Sequence, residues 1–431
     1  MRILLAGASG LIGHAVARAL ICRGHEVVRT GRHAESDIGA GGASLGIAVD
    51  FAQPPDADWW QPRLLGFDAV VNAVGIFQQG RHQSFESVHT RAPIALFTAA
   101  AAARVPLVVQ ISALGSDGQA ATPFHQSKYA ADKVLRELPV RSVIVQPSLV
   151  YAPRGASATL FNQLALAPLL ALPSSREPVQ PVHLDDLTDL IVGLVERPPA
   201  ERTTTLAAVG PTPLGLRDYL LQLRAALGAR LPPIWVDVPM PWILKGARWL
   251  SAILPPGWSG ADALQMLARG NHADPGPFAQ RLGRAPRPVQ QFLAREERRD
   301  VRQHAEFLTL LALMRYSVAV VWIATGVLSL GLYPVQGSLD LLRDFGLEGT
   351  LAHVALYMGA VLDLALGLAI FVAPPRWRAA VWYAQLIVIL GYTLLITLRI
   401  PHWWLHPFGP VLKNLPMLVA ISMLAARERR R

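Results

Sequence analysis

A chain of 431 residues exceeds one ordinary domain, and with 52% hydrophobic and only 16% charged residues it is more apolar than a soluble globular protein. The formal net charge of +10 points to nucleic acid or to a membrane surface. No basic tract is interleaved with aromatics, which excludes a recognisable nucleic-acid module, whereas arginines cluster at the edges of apolar segments, as a lipid bilayer favours.

Short apolar runs at residues 3–6, 26–29, 69–73, 107–111 and 143–146 read as strands, with helical patterns at 14–23 and 93–103 between them. Strands alternating with helices imply βαβ units and a parallel sheet covered on both faces, an α/β, Rossmann-type doubly wound fold. The first six residues run straight into a strand and a glycine turn, without the apolar stretch of a secretory leader, so this region is expected in the cytoplasm. Cys22, the single cysteine, excludes an internal disulfide and a cysteine-based zinc site.

Gly7, Gly10 and Gly13 form a G-x-x-G-x-x-G loop between the first strand and the first helix. Glycine there permits a tight turn and lets backbone N–H groups, with the helix dipole behind them, approach a pyrophosphate. Ser9, Leu11 and Ile12 belong to the same loop. The second strand ends at Arg32, where NAD-selective sites carry an acid. An arginine fork pairs with a 2′-phosphate, so NADP(H) is expected in preference to NAD(H). The competing reading leaves Arg32 in solvent and brings Thr30 to the ribose.

Over roughly residues 1–295 the chain resembles the extended and atypical branches of the short-chain dehydrogenase/reductase superfamily. The resemblance implies that Asp50, followed by Phe51, lies near the adenine, that Asn72, Ala73, Val74 and Gly75 line the cofactor, and that the segment 146–151, with Pro147, flanks the nicotinamide. It also implies that 181–187 is structural and that Ser112 is the serine of the reductase site. Phe124, Ser127, Lys128 and Asp132 match the superfamily's Tyr-x-x-Ser-Lys-x-x-x-Glu pattern, with phenylalanine in place of the tyrosine that moves a proton. A second register pairs Tyr129 with Lys133, but Tyr129 is one step from Lys128 and the two cannot share a helix face. Loss of the acid resembles atypical members such as the NmrA-like proteins and the nucleotide-binding accessory subunit of respiratory NADH–quinone reductase.

The proline- and glycine-rich zone 151–295 is expected to complete this domain as a substrate-side lobe, with a strand near 207–209 and an amphipathic helix at 216–227. The segment 241–254 has the pattern of an interfacial helix or of a helix packed over the cleft. A charged stretch, 296–306, reads as a solvated helix or linker. Residues 307–431 carry four apolar stretches, at 308–332, 351–373, 379–398 and 411–426, of which three reach the roughly 20 residues that span a bilayer core. Arginines before the first, between the second and third and after the fourth place both termini on the cytoplasmic side of an inner (plasma) membrane. This all-α four-helix transmembrane bundle resembles DoxX-like proteins over roughly 305–427, through its hydropathy, Arg315 and the segment 406–414. Asp363 lies mid-span, with Arg315 as candidate partner in a helix-pairing salt bridge; a proton or quinone site is the alternative. His402 and His406 lack a carboxylate or cysteine beside them, and no metal is expected.

Together these features imply a membrane-anchored NADP(H)-binding oxidoreductase-like protein that passes hydride to a quinone or other lipophilic acceptor. Two alternatives stay open: a non-catalytic nucleotide-binding sensor or assembly subunit of a membrane complex, and an enzyme of the nucleotide-sugar epimerase or dehydratase kind.

Overall fold

The computed structural model describes all residues except 33–45, 81, 174–176, 230, 240, 243–244, 246–269, 406, 408 and 430–431. The chain divides into two compact units, Met1–Ala305 and Glu306–Arg431. The segment 241–254 lies outside the described residues except for Pro241, Trp242 and Lys245, as do His406, Phe408 and the last two arginines.

The first unit begins with β1 (Arg2–Ala6), α1 (Leu11–Cys22), β2 (Glu26–Gly31), β3 (Gly46–Ala48), α2 (Ala57–Trp60), β4 (Ala69–Asn72), α3 (Ala92–Ala102), β5 (Leu107–Ile111), α4 (Pro123–Glu137) and β6 (Ser142–Pro147). It continues with β7 (Val150–Tyr151), α5 (Ala156–Leu166), β8 (Leu169–Pro173), β9 (Val182–His183), α6 (Leu184–Glu196), β10 (Thr203–Ala208), α7 (Leu216–Ala226) and β11 (Ile234–Val238). A seven-stranded parallel sheet runs in the order β10-β6-β5-β4-β1-β2-β3. The strand order reverses between β1 and β4, the switch point at which such sheets bind ligands beyond their carboxyl ends.

Because strand side chains alternate between faces, each strand feeds two apolar layers. Ile3, Leu5, Val71, Val109 and Val145 pack under α1 and α6, while Leu4, Val28, Val70, Val108 and Ile144 pack under α2, α3 and α4. The lobe has its own core, with Tyr151, Tyr219, Leu220 and Phe292 buried around β8 and α7. Asp186, fully buried in α6, accepts Arg284 Nη2 and Arg287 N at 2.7 Å each, so the segment that resembles a structural motif ties the lobe's last stretch to the sheet domain. The strand expected near 207–209 is β10, and the short strands β3, β8 and β11 are additional. The charged stretch 296–306 is helical, being the start of the helix Arg295–Val327.

Among the described residues, three helical stretches are long and apolar enough to cross a membrane: Arg295–Leu332, Gly349–Val372 and Pro375–Arg399. The fourth apolar helix, Asn414–Glu428, has 15 residues. All four share one core, including Trp322, Leu366, Trp382 and Ile421. The first and second pack closely through glycines. A Cβ on Gly326 would lie 2.6 Å from Leu364 Cγ, and one on Gly367 would lie 2.7 Å from Ile323 Cγ1. Small residues at such crossings let helix backbones approach in lipid.

The candidate pairing of Arg315 with Asp363 is not formed. Arg315 instead pairs with Glu428, and its guanidinium also lies 5.7 Å from the Trp382 ring centroid. The cause is depth: Asp363 faces Thr325, about 15 Å further along the first helix than Arg315.

Candidate functional site

In-register pairing of Ala6 with Thr30 and Asn72, of Asn72 with Gln110, and of Ile111 with Val145 brings the carboxyl ends of the central strands level. Gly7, Arg32, Ala73, Ser112 and Pro147 therefore emerge from one edge of the sheet or end it there. Gly7 sits at φ +80°, and a Cβ on it would lie 2.7 Å from the Ala73 carbonyl carbon. A Cβ on Gly13 would lie 2.1 Å from Gly7 O. Gly10 donates its N–H to Gly7 O at 3.0 Å and caps α1 without any side-chain hydrogen bond. The first turn of α1, which includes Leu11, Ile12 and Gly13, contains no acidic residue. These uncapped N–H groups suit a pyrophosphate.

Ser9 Oγ lies 3.9 Å from a Cβ position on Gly31, so the glycine loop abuts the end of β2 one residue before the exposed Arg32. Thr30 is buried, with its hydroxyl oxygen unpartnered. Asp50 is exposed, accepting the Ala52 N–H in a turn, and Phe51 is half-buried beside it. Pro147 is buried at the end of β6, where its carbonyl accepts the Leu114 N–H.

Lys128 is the centre of the arrangement. One face of α4 buries Lys128, Ala131, Asp132 and Leu135, and Thr122 caps the helix through the His125 N–H. Lys128 Nζ donates to Val74 O and Ile111 O, both at 3.1 Å, which ties α4 to the ends of β4 and β5. Burial lowers its ammonium to about 8, although the nearby Asp132 carboxylate opposes this. A Cβ on Gly75 would lie 3.3 Å from Nζ, so glycine leaves that side of the amine open.

Ser112 donates to Asp132 Oδ2 at 2.5 Å. Asp132 is fully buried, and burial raises its carboxyl, against the hydrogen bond from Ser112 and the charges of Lys128 and Arg136. Behind it, Asn72 Nδ2 donates to Gln110 Oε1 at 2.7 Å, and Asn72 Oδ1 accepts the Val74 N–H at 3.2 Å. In the other register Lys133 is exposed, and Tyr129 lies half-buried under Arg136. The structure thus brings Lys128, not Lys133, to the strand ends.

Phe124 occupies the tyrosine position within an aromatic shelf. Its ring centroid lies 5.4 Å from that of Phe77, 5.9 Å from Phe85, and 5.3 Å from both His89 and His125. His89, fully buried, was not anticipated. Its Nε2 accepts the Ile76 N–H at 2.9 Å, which leaves the proton on Nδ1, 3.0 Å from Ser127 Oγ. It lies in a π-helical turn, Glu86–Arg91, whose altered spacing gives no periodic signal.

Burial and the Lys128 charge push His89 down from 6.5 to about 2. Between these values the unfolded chain binds the extra proton, so stability is fully present above about pH 6.5 and falls as pH drops through that value. Moving from pH 7 to pH 5 is expected to remove about 2 kcal/mol, read as a lower melting temperature of the full chain in detergent, and His89→Gln should remove this part of the pH dependence.

A separate cavity of about 410 Å³ is bounded by Pro181, Pro211, Pro286 and Pro288, with no titratable lining residue and none of the residues above.

Residues 7–163 match the NAD(P)H-binding family, and residues 319–422 match the DoxX-like family. A nucleoside-diphosphate-sugar epimerase from Staphylococcus aureus aligns at 16% identity and TM-score 0.55, over 68% of this chain and 99% of its own. An NADPH-dependent quinone oxidoreductase from Escherichia coli, solved with NADPH, aligns at 14% identity and TM-score 0.54, over 68% and 98%. A UDP-glucuronic acid 4-epimerase from Bacillus cereus, solved with UDP-glucuronic acid and NAD, aligns at 14% identity and TM-score 0.51, over 72% and 100%. At these identities the likeness is one of fold.

Proposed function

We propose that this chain, an NAD(P)H-binding Rossmann domain joined to a DoxX-like membrane-type domain, is a membrane-anchored oxidoreductase that passes hydride from NADPH to a quinone or another small lipophilic acceptor. When bound, the nicotinamide supplies the hydride. The observation that carries the reading is Phe124: the place of the reductase acid is an apolar aromatic shelf beside an anchored lysine. A ketone leaves a strongly basic alkoxide that needs a positioned acid. A reduced quinone leaves a far weaker base that takes its proton from water, and its flat ring suits Phe77 and Phe124.

Gly7, Gly10 and Gly13, with Ser9, Leu11 and Ile12, would hold the pyrophosphate. Asp50 and Phe51 would flank the adenine, and Asn72 to Gly75 with Pro147 would line the cofactor. Lys128 would hold the nicotinamide ribose from the side that Gly75 leaves open. Arg32, one residue after the Gly31 that Ser9 approaches, supports NADPH over NADH.

The proposed domain limits are 1–295 and 307–431, with 296–306 between them. The proposed topology has four spans in an inner (plasma) membrane and both termini in the cytoplasm. The last helix, about 22 Å long, spans with local bilayer thinning.

One observation favours the alternative of a non-catalytic nucleotide sensor or assembly subunit. The Ser112 hydroxyl is committed to Asp132 rather than presented to a substrate.

The test is NADPH oxidation by the full chain in detergent with a short-chain ubiquinone analogue. We expect turnover, and we expect Arg32→Asp to weaken NADPH binding by roughly 10- to 100-fold while leaving NADH nearly unchanged. Tight NADPH binding with no turnover would establish the sensor reading instead.

A further inference from the structure

Asp363 is the acidic residue in the middle of the second long helix, Gly349–Val372. With Arg315 taken by Glu428, no lysine, arginine or histidine among the described residues pairs with it. Its Oδ1 is buried without a hydrogen-bond partner. Thr325 of the first helix and Tyr392 of the third face the carboxyl. Gly359, one turn before Asp363, leaves room for the tyrosine, whose hydroxyl lies 3.6 Å from a Cβ position on that glycine. Tyr392 is thus the titratable neighbour, and no charged group faces Asp363 from the packed helices among the described residues.

The hydrogen-bond inventory bears on the protonation state. An ionised carboxylate is an acceptor only, and it needs donors when buried. The Thr325 hydroxyl that faces the carboxyl carries a single hydrogen, for which the backbone carbonyls of Val321, at 2.9 Å, and Trp322, at 3.0 Å, compete. At most one shared donor therefore serves the carboxyl, and its buried Oδ1 has none. A lone charge at this depth is costly in a bilayer, and such residues mark ion or proton sites.

We propose that Asp363 is a proton-binding site of the membrane-type unit, a carboxyl that holds its proton at neutral pH and releases it as a free proton when it ionises. The proposal does not depend on quinone reduction. It requires only that the four-helix unit is embedded in a membrane.

Dicyclohexylcarbodiimide tests it on the full chain reconstituted in liposomes, because this apolar reagent is activated by the acid's own proton and so reports protonated carboxyls in apolar surroundings. Peptide mass spectrometry should find the adduct on Asp363 and not on the ion-paired Glu428. Labelling at pH 6 should exceed that at pH 9 by roughly tenfold or more, and Asp363→Asn should abolish it. Absence of an Asp363 adduct at pH 6, or an adduct on Glu428 instead, overturns the proposal. Faster modification of Asp363 by a water-soluble carbodiimide overturns both the proposal and the membrane reading beneath it. The pH profile of the wild-type chain decides the matter alone if Asp363→Asn does not fold.

Discussion

Gly13→Val is expected to abolish NADPH binding, with affinity falling by at least about 100-fold, or about 3 kcal/mol. The reason is contact rather than backbone strain. A Cβ at position 13 would lie 2.1 Å from Gly7 O and 2.8 Å from Gly7 C, and backbone atoms cannot step aside as a side-chain tip can. Relief requires α1 to move away from the loop, which takes its N–H groups off the pyrophosphate position. Gly10→Ala supplies the contrast. Its Cβ would meet only Gly7 O, at 3.3 Å, in an extended backbone conformation open to any residue, so a loss below about tenfold is expected. Fluorescence titration of NADPH against both variants checks the pair; equal losses would show that the loop tolerates no side chain anywhere, and equal retention would remove it from the cofactor site.

Lys128→Met is the second large effect, on stability as well as on binding. The substitution keeps volume but leaves the Val74 and Ile111 carbonyls without their donor and deprives Asp132 of the cation that opposes its burial. Breaking a buried charge arrangement from one side costs about 3–5 kcal/mol. Asp132→Asn in the same chain removes the stranded acid, so the double variant should be more stable than the sum of the single losses by about 1 kcal/mol or more. Denaturation of the four chains of this cycle measures the coupling. Strict additivity would show that Lys128 serves the strand ends alone.

The sheet was legible in the sequence because parallel strands buried on both faces read as unbroken apolar runs, as at 107–111. β3 escaped because it has three residues on a sheet edge, and β8 and β11 because, among the described residues, they pair with each other and not with the central sheet. In the site, the residues that directly follow strands, such as Gly7 and Ser112, announce their place by chain order. Lys128 announces its place by the fixed face of a helix. His89 did not, because a π-helical turn shifts its neighbours out of helical spacing and its partners, Ile76 and Ser127, come from two other segments. The same limit applied to Arg315: charge and hydropathy locate a cation near a span end, but only the packed bundle selects Glu428 over Asp363.

The hydrogen bond between Asn72 and Gln110 has a bearing on assembly as well as on the site. The two residues are direct partners across β4 and β5, and both are almost wholly buried. Sliding either strand by one residue would turn its amide into the opposite hydrocarbon layer, away from its mate, while valines and leucines would exchange faces at little penalty. Apolar contacts alone therefore discriminate poorly between adjacent alignments of these two strands. The amide pair supplies the missing discrimination, acting as a ratchet tooth that lets the sheet close in one alignment only.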